Sequence, residues 1–302
     1  MRDADWLIDR RRLKRRLSAW RTLAILGLVA ALAIAAGRLV DPRSGDHIAR
    51  LSVAGVIVES HAVEKAIEAF VEDDSAKALI LRVNSPGGTV VGGESLYRAL
   101  RAAGEAKPVV AVLGTVATSA AYMVALAADH VVAREGTITG SIGVIMQTAD
   151  VSELLMKLGV KADAIKSAPL KGVPSPLEPL TPAGRAATQA VVDDMFAMFV
   201  EMVAERRGLD RETALGLADG RIFSGRQARA ANLVDALGGE AGAVDWLAAA
   251  RDIDPDLPVR DLSVPRAIED WLDRVGGMVG KTFFSEPLTL DGLISVWHPS
   301  LG

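Results

Sequence analysis

No cysteine occurs in the 302 residues, which excludes disulfides, thiol nucleophiles and cysteine-ligated zinc. Histidine is nearly as scarce: His47, His61, His130 and His298 are the four. His130 falls in an apolar run, His47 and His61 flank the first strand-like segment, and His298 lies in the tail. None of these places resembles the base of a Ser-His-acid triad. The body also lacks positive charge. Residues 1–21 carry eight Lys/Arg against three Asp/Glu, a balance of +5, so a net −4 leaves about −9 on the remainder. A nucleic-acid enzyme would carry its positive charge on the folded body, so no nucleic-acid partner is expected. No internal repeat is present, and an uncharged apolar run directly behind a basic block occurs at Thr22 to Gly37.

That run follows Arg10, Arg11, Arg12, Lys14, Arg15, Arg16 and Arg21. Arg38 can snorkel to an interface, with Leu39 and Val40 extending the apolar stretch. Residues 22–40 read as a single transmembrane anchor, short but workable, with Trp20 at the interface. The positive-inside rule places residues 1–21 in the cytoplasm and the rest across an inner membrane. A cleaved signal peptide is the competing reading, with Ala33-Ile34-Ala35 as the small-residue site.

Beyond a polar linker, 41–47, strands alternate with helices. The pattern predicts a strand over 48–58, a helix over 61–74, and a buried strand at 78–83 closing in a turn, Asn84-Ser85-Pro86-Gly87-Gly88. A helix over 93–103, a strand over 108–113, a helix near 119–127 and a strand at 130–133 follow. This alternation indicates α/β layering on a largely parallel sheet. Five prolines between 169 and 182 predict an extended loop. Thr181-Pro182 then predicts the start of a helix running to about Arg207. Short helices are expected at 210–217, 224–231 and 239–251, and residues 252–302 are poorly patterned.

Three features carry chemistry. Paired glycines in Ser85-Pro86-Gly87-Gly88 allow close backbone approach and N–H groups aimed at an oxyanion, although a plain turn would look the same. Ser119 stands between a strand exit and an Ala-rich helix, where an anion would be favoured; simple capping by Ser119 or Thr118 is the alternative. With no placed histidine, a Ser nucleophile would need a neutral Lys, and Lys157, Lys161, Lys166 and Lys171 are the candidates.

Taken together, SPGG at 85–88, TSAAY at 118–122, TGSIGV at 139–144 and KGVPSP at 171–176 resemble the bacterial signal peptide peptidases of SppA type. Phe223 to Ala228 and Leu233-Val234-Asp235 extend the resemblance, which covers about residues 48–250. It implies a Clp/crotonase-like spiral sheet wrapped by helices, over a peptidase domain at 48–251 with a C-terminal extension at 252–302. It also implies Ser119 as nucleophile, Lys171 as general base and Ser141 as the hydroxyl orienting the amine. The N–H groups of Gly88 and Ala120 would form the oxyanion hole. Lys166 is the runner-up base. Ala120-Ala121 replace the Gly usual after the nucleophile, which could narrow that space. The implied substrates are cleaved signal peptides or other short apolar membrane-derived peptides. A ring-like homo-oligomer is implied too, with Ser and Lys able to come from neighbouring subunits, and neither cofactor nor metal. A crotonase-type acyl-CoA enzyme and a non-catalytic membrane scaffold are the rival readings.

Overall fold

The computed structural model describes residues 20–22, 24–28, 45–264 and 294–296. Two compact units divide at Gly45. In the first, residues 20–22 and 24–28 are helical, and Trp20, Ile25, Leu26 and Leu28 are exposed. Among the described residues no helix is long and apolar enough to cross a membrane. Most of the expected anchor, with the linker before Gly45, lies outside the described residues.

The second unit is built on a mixed sheet. Its path runs β6–β5–β3–β2–β1–β8, where β1 is His47–Ile57, β2 Ala76–Thr89, β3 Val109–Thr118, β5 Ile138–Gly140, β6 Ile222–Ser224 and β8 Val259–Asp261. β4, His130–Ala133, pairs with β3 and with β7, Ala236–Leu237. β9, Ile294–Val296, pairs with β2. The β2/β9 and β5/β6 ladders are antiparallel, and the others are parallel. This is the α/β organisation expected from the alternating pattern.

Helices cover both faces, so the central strands are apolar on both. Leu79, Leu81 and Val83 of β2 join the larger core with α1 (His61–Glu72), α2 (Val90–Ala106), α3 (Ala120–Ala125) and α5 (Pro182–Arg207). Ala78 and Ile80 point the other way, onto Ala243 and Leu247 of α8 (Glu240–Arg251). α5 starts as its sequence signals predict, with the Thr181 hydroxyl accepting from Gly184 N–H at 3.1 Å and Pro182 opening the helix; Gly208 then closes it in the left-handed conformation. α6 (Arg211–Leu217) and α7 (Gly225–Ala230) also stand where expected.

Three expectations need correction. SPGG is not a turn: β2 continues through it to Thr89. The reason lies in β1, where a bulge at Gly55 lets Val56 and Ile57 pair with Gly87 and Gly88. Gly114 does not end β3, because Asn84 Oδ1 accepts from Thr115 and Val116 N–H at 3.0 and 3.2 Å and carries the strand on to Thr118. The third concerns α4 (Ser152–Lys157), a helix that the sequence pattern did not reveal, after which Lys166 lies in an irregular stretch.

Candidate active site

The site grows from the place where the sheet branches. β3 pairs with β4 along Val110–Leu113 and with β5 along Val116–Thr118. Three hydroxyls stitch the branch: Thr137 donates to Gly114 C=O at 2.7 Å, Thr139 to Ala117 C=O at 2.7 Å, and Thr118 to Pro86 C=O at 3.0 Å. The end of β3 is thereby held against both β2 and β5.

Ser119 is the next residue. It is buried, with φ +59° and ψ −124°, a conformation that costs a non-glycine residue about 1–3 kcal/mol. Its N–H donates to Gly140 C=O at 2.8 Å, and its C=O accepts from Met123 N–H at 3.0 Å. Although it occupies the cap position of α3, its side chain makes no cap hydrogen bond. Thr118 does not cap either, since its hydroxyl is spent on Pro86. The capping alternative is therefore not what the fold uses at this Ser. Ala120 opens the helix, where an N–H has no intrahelical acceptor. Its methyl is fully buried, 3.0 Å from where a Cβ on Gly93 would stand.

Ser141 is brought beside Ser119 through Gly140, whose carbonyl holds the Ser119 N–H. Ser141 is itself a non-glycine residue at positive φ (+50°), pinned by its N–H to Arg221 C=O at 2.8 Å. Gly140 admits no side chain, because a Cβ would stand 2.5 Å from the Phe223 ring. Gly88 lies on the neighbouring strand, tied in by the Thr118–Pro86 bond two residues earlier. A Cβ on Gly88 would fall 1.8 Å from Ile57 O, so glycine is required there by strand packing whatever else its N–H does.

Ser119, Ala120, Ser141 and Gly88 thus converge. Lys171 does not join them within one chain: its side chain is exposed and has no hydrogen bond or ion pair with a described residue. Its loop does approach the Ser141 loop. Val144, Ile145 and Met146 line a groove of about 300 Å³ together with Pro174 and Leu180, and Val151 N–H donates to Pro176 C=O at 2.9 Å. Lys166 is half-buried and paired with Glu178. Lys157 and Lys161 are exposed.

The described histidines are engaged elsewhere. His130 faces Val110 on β3, nine residues before Ser119, about 30 Å away along an extended strand. It stacks on Trp246 at 4.7 Å, and burial, only partly offset by Asp235, pushes its pKa down. His47 lies by Asp73 and Ser75. His61 is exposed on its own helix and paired with Glu64 at 2.9 Å. His298 lies outside the described residues. Among the described residues no group of acidic and histidine side chains could hold a metal ion. The residues missed by sequence reasoning are Asn84, Thr118 and Thr139, which position the site. The one signal for them is a polar residue within or at the end of an otherwise apolar strand segment.

Residues 101–254 match Peptidase family S49, and residues 53–147 match the Clp protease family. A candidate protease of Synechocystis sp. is 42% identical over 211 residues, 69% of this chain and 76% of that protein. A candidate protease of Methanocaldococcus jannaschii is 36% identical over 213 residues, 70% of this chain and 66% of that one. The chloroplastic serine protease SPPA of Arabidopsis thaliana is 29% identical over 259 residues, 83% of this chain but 38% of that protein. The two family matches overlap on the strand that delivers Ser119, and the chain belongs to Peptidase family S49, as a serine peptidase of SppA type on a Clp-protease-like α/β fold.

Proposed function

We propose that this chain is a membrane-anchored endopeptidase in which Ser119 attacks the peptide carbonyl and Lys171 serves as its base. The observation that carries the reading is the strained, buried Ser119 at a strand-to-helix junction, with its side chain not used as a cap. In the first step the neutral Lys171 amine takes the Ser119 Oγ proton as Oγ bonds to the carbonyl carbon. The oxyanion is held by the N–H groups of Gly88 and Ala120. Collapse breaks the C–N bond, and Lys171 returns its proton to the leaving amine. Water, deprotonated by the same amine, then releases the acyl group and restores Ser119. The Ser141 hydroxyl orients the amine.

A Lys amine acts as a base when it is desolvated, and Lys171 is exposed in the single chain. The reading therefore includes a second subunit that covers it. Supporting this, Leu154, Met156, Leu158, Val160, Ile165 and Leu170 are all exposed on the segment that carries Lys171, an apolar surface of the kind that marks an interface. The proposed assembly is a closed homo-oligomer in which the Ser119 of one subunit meets the Lys171 of the next.

Residues 22–40 are proposed as the anchor, with residues 1–21 cytoplasmic and the peptidase unit, 48–251, on the far side of the inner membrane. The flanking Lys/Arg block and the exposed Ile25, Leu26 and Leu28 support it. Cleaved signal peptides and other short apolar membrane-derived peptides are the proposed substrates. A fluorophosphonate probe tests the site: it should label the chain at Ser119 and fail on Ser119→Ala. Labelling elsewhere, with Ser119→Ala still hydrolysing peptides, would remove the assignment.

A further inference from the structure

Lys171 stands on a loop whose two ends meet. Lys166 Nζ donates to the Glu178 carboxylate and closes residues 166–178 at the neck, with Lys171 five residues from one end and seven from the other. Both partners are half-buried, and Pro169, Val173, Pro179 and Leu180 line the small cavity beside them. Inside the neck little else fixes the chain. Residues 167–172 are all exposed. The backbone hydrogen bonds there are local, from Lys171 N–H to Ala168 C=O at 3.1 Å and from Val173 N–H to Leu170 C=O at 3.3 Å. Val151 N–H tethers the arm after Lys171 through Pro176 C=O, but the arm from Lys166 to Lys171 has no such backbone tether among the described residues. Of the four lysines that could serve as base, Lys166 alone has an ion-pair partner among the described residues.

We propose that the Lys166–Glu178 ion pair positions the base, closing the loop so that the Lys171 amine is presented to Ser119. The proposal rests on the reading of Lys171 as base. A compact loop with its ends pinned together has far fewer conformations than an open one. Pro169, Pro174 and Pro176 already restrict the backbone, each fixing its own φ. The pair removes the freedom that remains at the neck, and its half-burial spares it part of the solvent screening that weakens pairs on an open surface. The demand on such a loop is steep, because a reacting group misplaced by ~1 Å can cost on the order of a hundredfold in rate. Lys166 thus acts through Lys171 rather than in its place. Its amine is spent on Glu178, whereas the Lys171 amine has no partner among the described residues.

The test uses the full chain. Lys166→Met and Glu178→Gln should each lower kcat about ten- to a hundredfold and leave KM within about twofold of the parent. Lys166→Arg keeps the ion pair and should stay within about threefold of the parent, although a guanidinium is no base. The exchanged pair, Lys166→Glu/Glu178→Lys, should regain most of the lost kcat. Glu178→Gln is then placed on Lys171→Ala, with the rate of fluorophosphonate labelling at Ser119 as the readout, because labelling stays measurable when turnover does not. There it should slow labelling no further, since no amine is left to position. Parent-like kcat in Lys166→Met and Glu178→Gln would overturn the proposal, as would an equal loss from Glu178→Gln with and without Lys171. An exchanged pair as slow as the single variants, with Tm intact, would overturn it too. Lys171→Ala as fast as the parent would instead refute the base reading, in an arm that carries no change at the pair.

Discussion

Ser119 combines burial, positive φ and a position where the side chain does not serve the helix. A non-glycine residue in that conformation lowers stability, and such strain persists where function demands the side chain. Ser119→Gly should therefore abolish peptide hydrolysis while raising Tm, because glycine adopts the same φ without strain. Ser119→Ala should abolish hydrolysis with Tm nearly unchanged. Calorimetry beside a fluorogenic peptide assay checks both, and residual hydrolysis in either would deny the hydroxyl its role. The two glycines nearby behave differently. A Cβ at Gly88 meets the Ile57 backbone at 1.8 Å, whereas at Gly93 it meets Ala120 Cβ at 3.0 Å and Met123 Sδ at 3.1 Å. Gly88→Ala should cost more than the ~1–3 kcal/mol typical of overpacking, lowering Tm and activity together. Gly93→Ala should keep the fold and slow turnover by nudging α3. Thermal melts and kcat on the two variants separate these outcomes.

Among the elements, the end of α5 is tied to the loop before β7 by one ion pair. Arg207 donates to both Asp235 carboxylate oxygens at 3.0 and 2.8 Å, and Asp235 also accepts from Val131 N–H at 2.7 Å. Close by, Tyr122 of α3 donates to Leu233 C=O at 2.7 Å. Burial by itself pushes the Asp235 carboxyl up, but the hydrogen bonds from Arg207 and its charge outweigh that and hold it below its ordinary value. A lowered folded-state pKa gives stability that is complete above the unfolded value near ~3.9 and is lost as pH falls through the folded one. Asp235→Asn should cost about 2 kcal/mol at neutral pH, the lower part of the range for charge-assisted hydrogen bonds because the carboxylate is partly open to solvent screening. The gap between parent and variant should close as pH falls below ~4. Urea titrations from neutral to acid pH check it, and a pH-independent gap would contradict the assignment.

At the scale of the whole molecule, the segment carrying Lys171 packs poorly on its own chain, with Ile165 fully exposed and Leu158 69% exposed. The first half of α5 is likewise largely exposed, and its fully buried side chains cluster near Phe199 to Val203. If neighbouring subunits share each site, inactive Ser119→Ala and Lys171→Ala chains should recover part of the activity when mixed, because some junctions regain both residues. No recovery in verified mixed assemblies would place Ser and Lys in one chain. Lys171→Arg should be as inactive as Lys171→Ala, since a guanidinium does not give up its proton. If the exposed apolar segment is the subunit interface, Leu158→Asp with Ile165→Asp should leave the chain monomeric and abolish hydrolysis, which light scattering beside the assay detects. A cytoplasm-specific reporter fused after residue 60 should be silent if residues 22–40 span the membrane, and a strong signal would refute the anchor.

The elements legible from sequence alone were those with local causes. The run Ala78–Leu81 is apolar because both faces of β2 are covered there, and Thr181-Pro182 starts α5 through capping and φ preferences within its first turn. Ser119 and Ser141 were visible through motif order, the Ser119-to-Ser141 approach being short along the chain. What only the tertiary structure decided depends on partners distant in sequence. SPGG reads as a turn, yet becomes strand because a bulge at Gly55 brings Ile57 against Gly88. Asn84 straightens β3 through N–H groups more than thirty residues away. Ile294–Val296 has no pattern of its own and becomes a strand because β3 leaves the edge of β2 unpaired beside Ser119. A local signal reports backbone preference and burial; which edge of β2 a distant segment can pair with is set by where the neighbouring strand turns away.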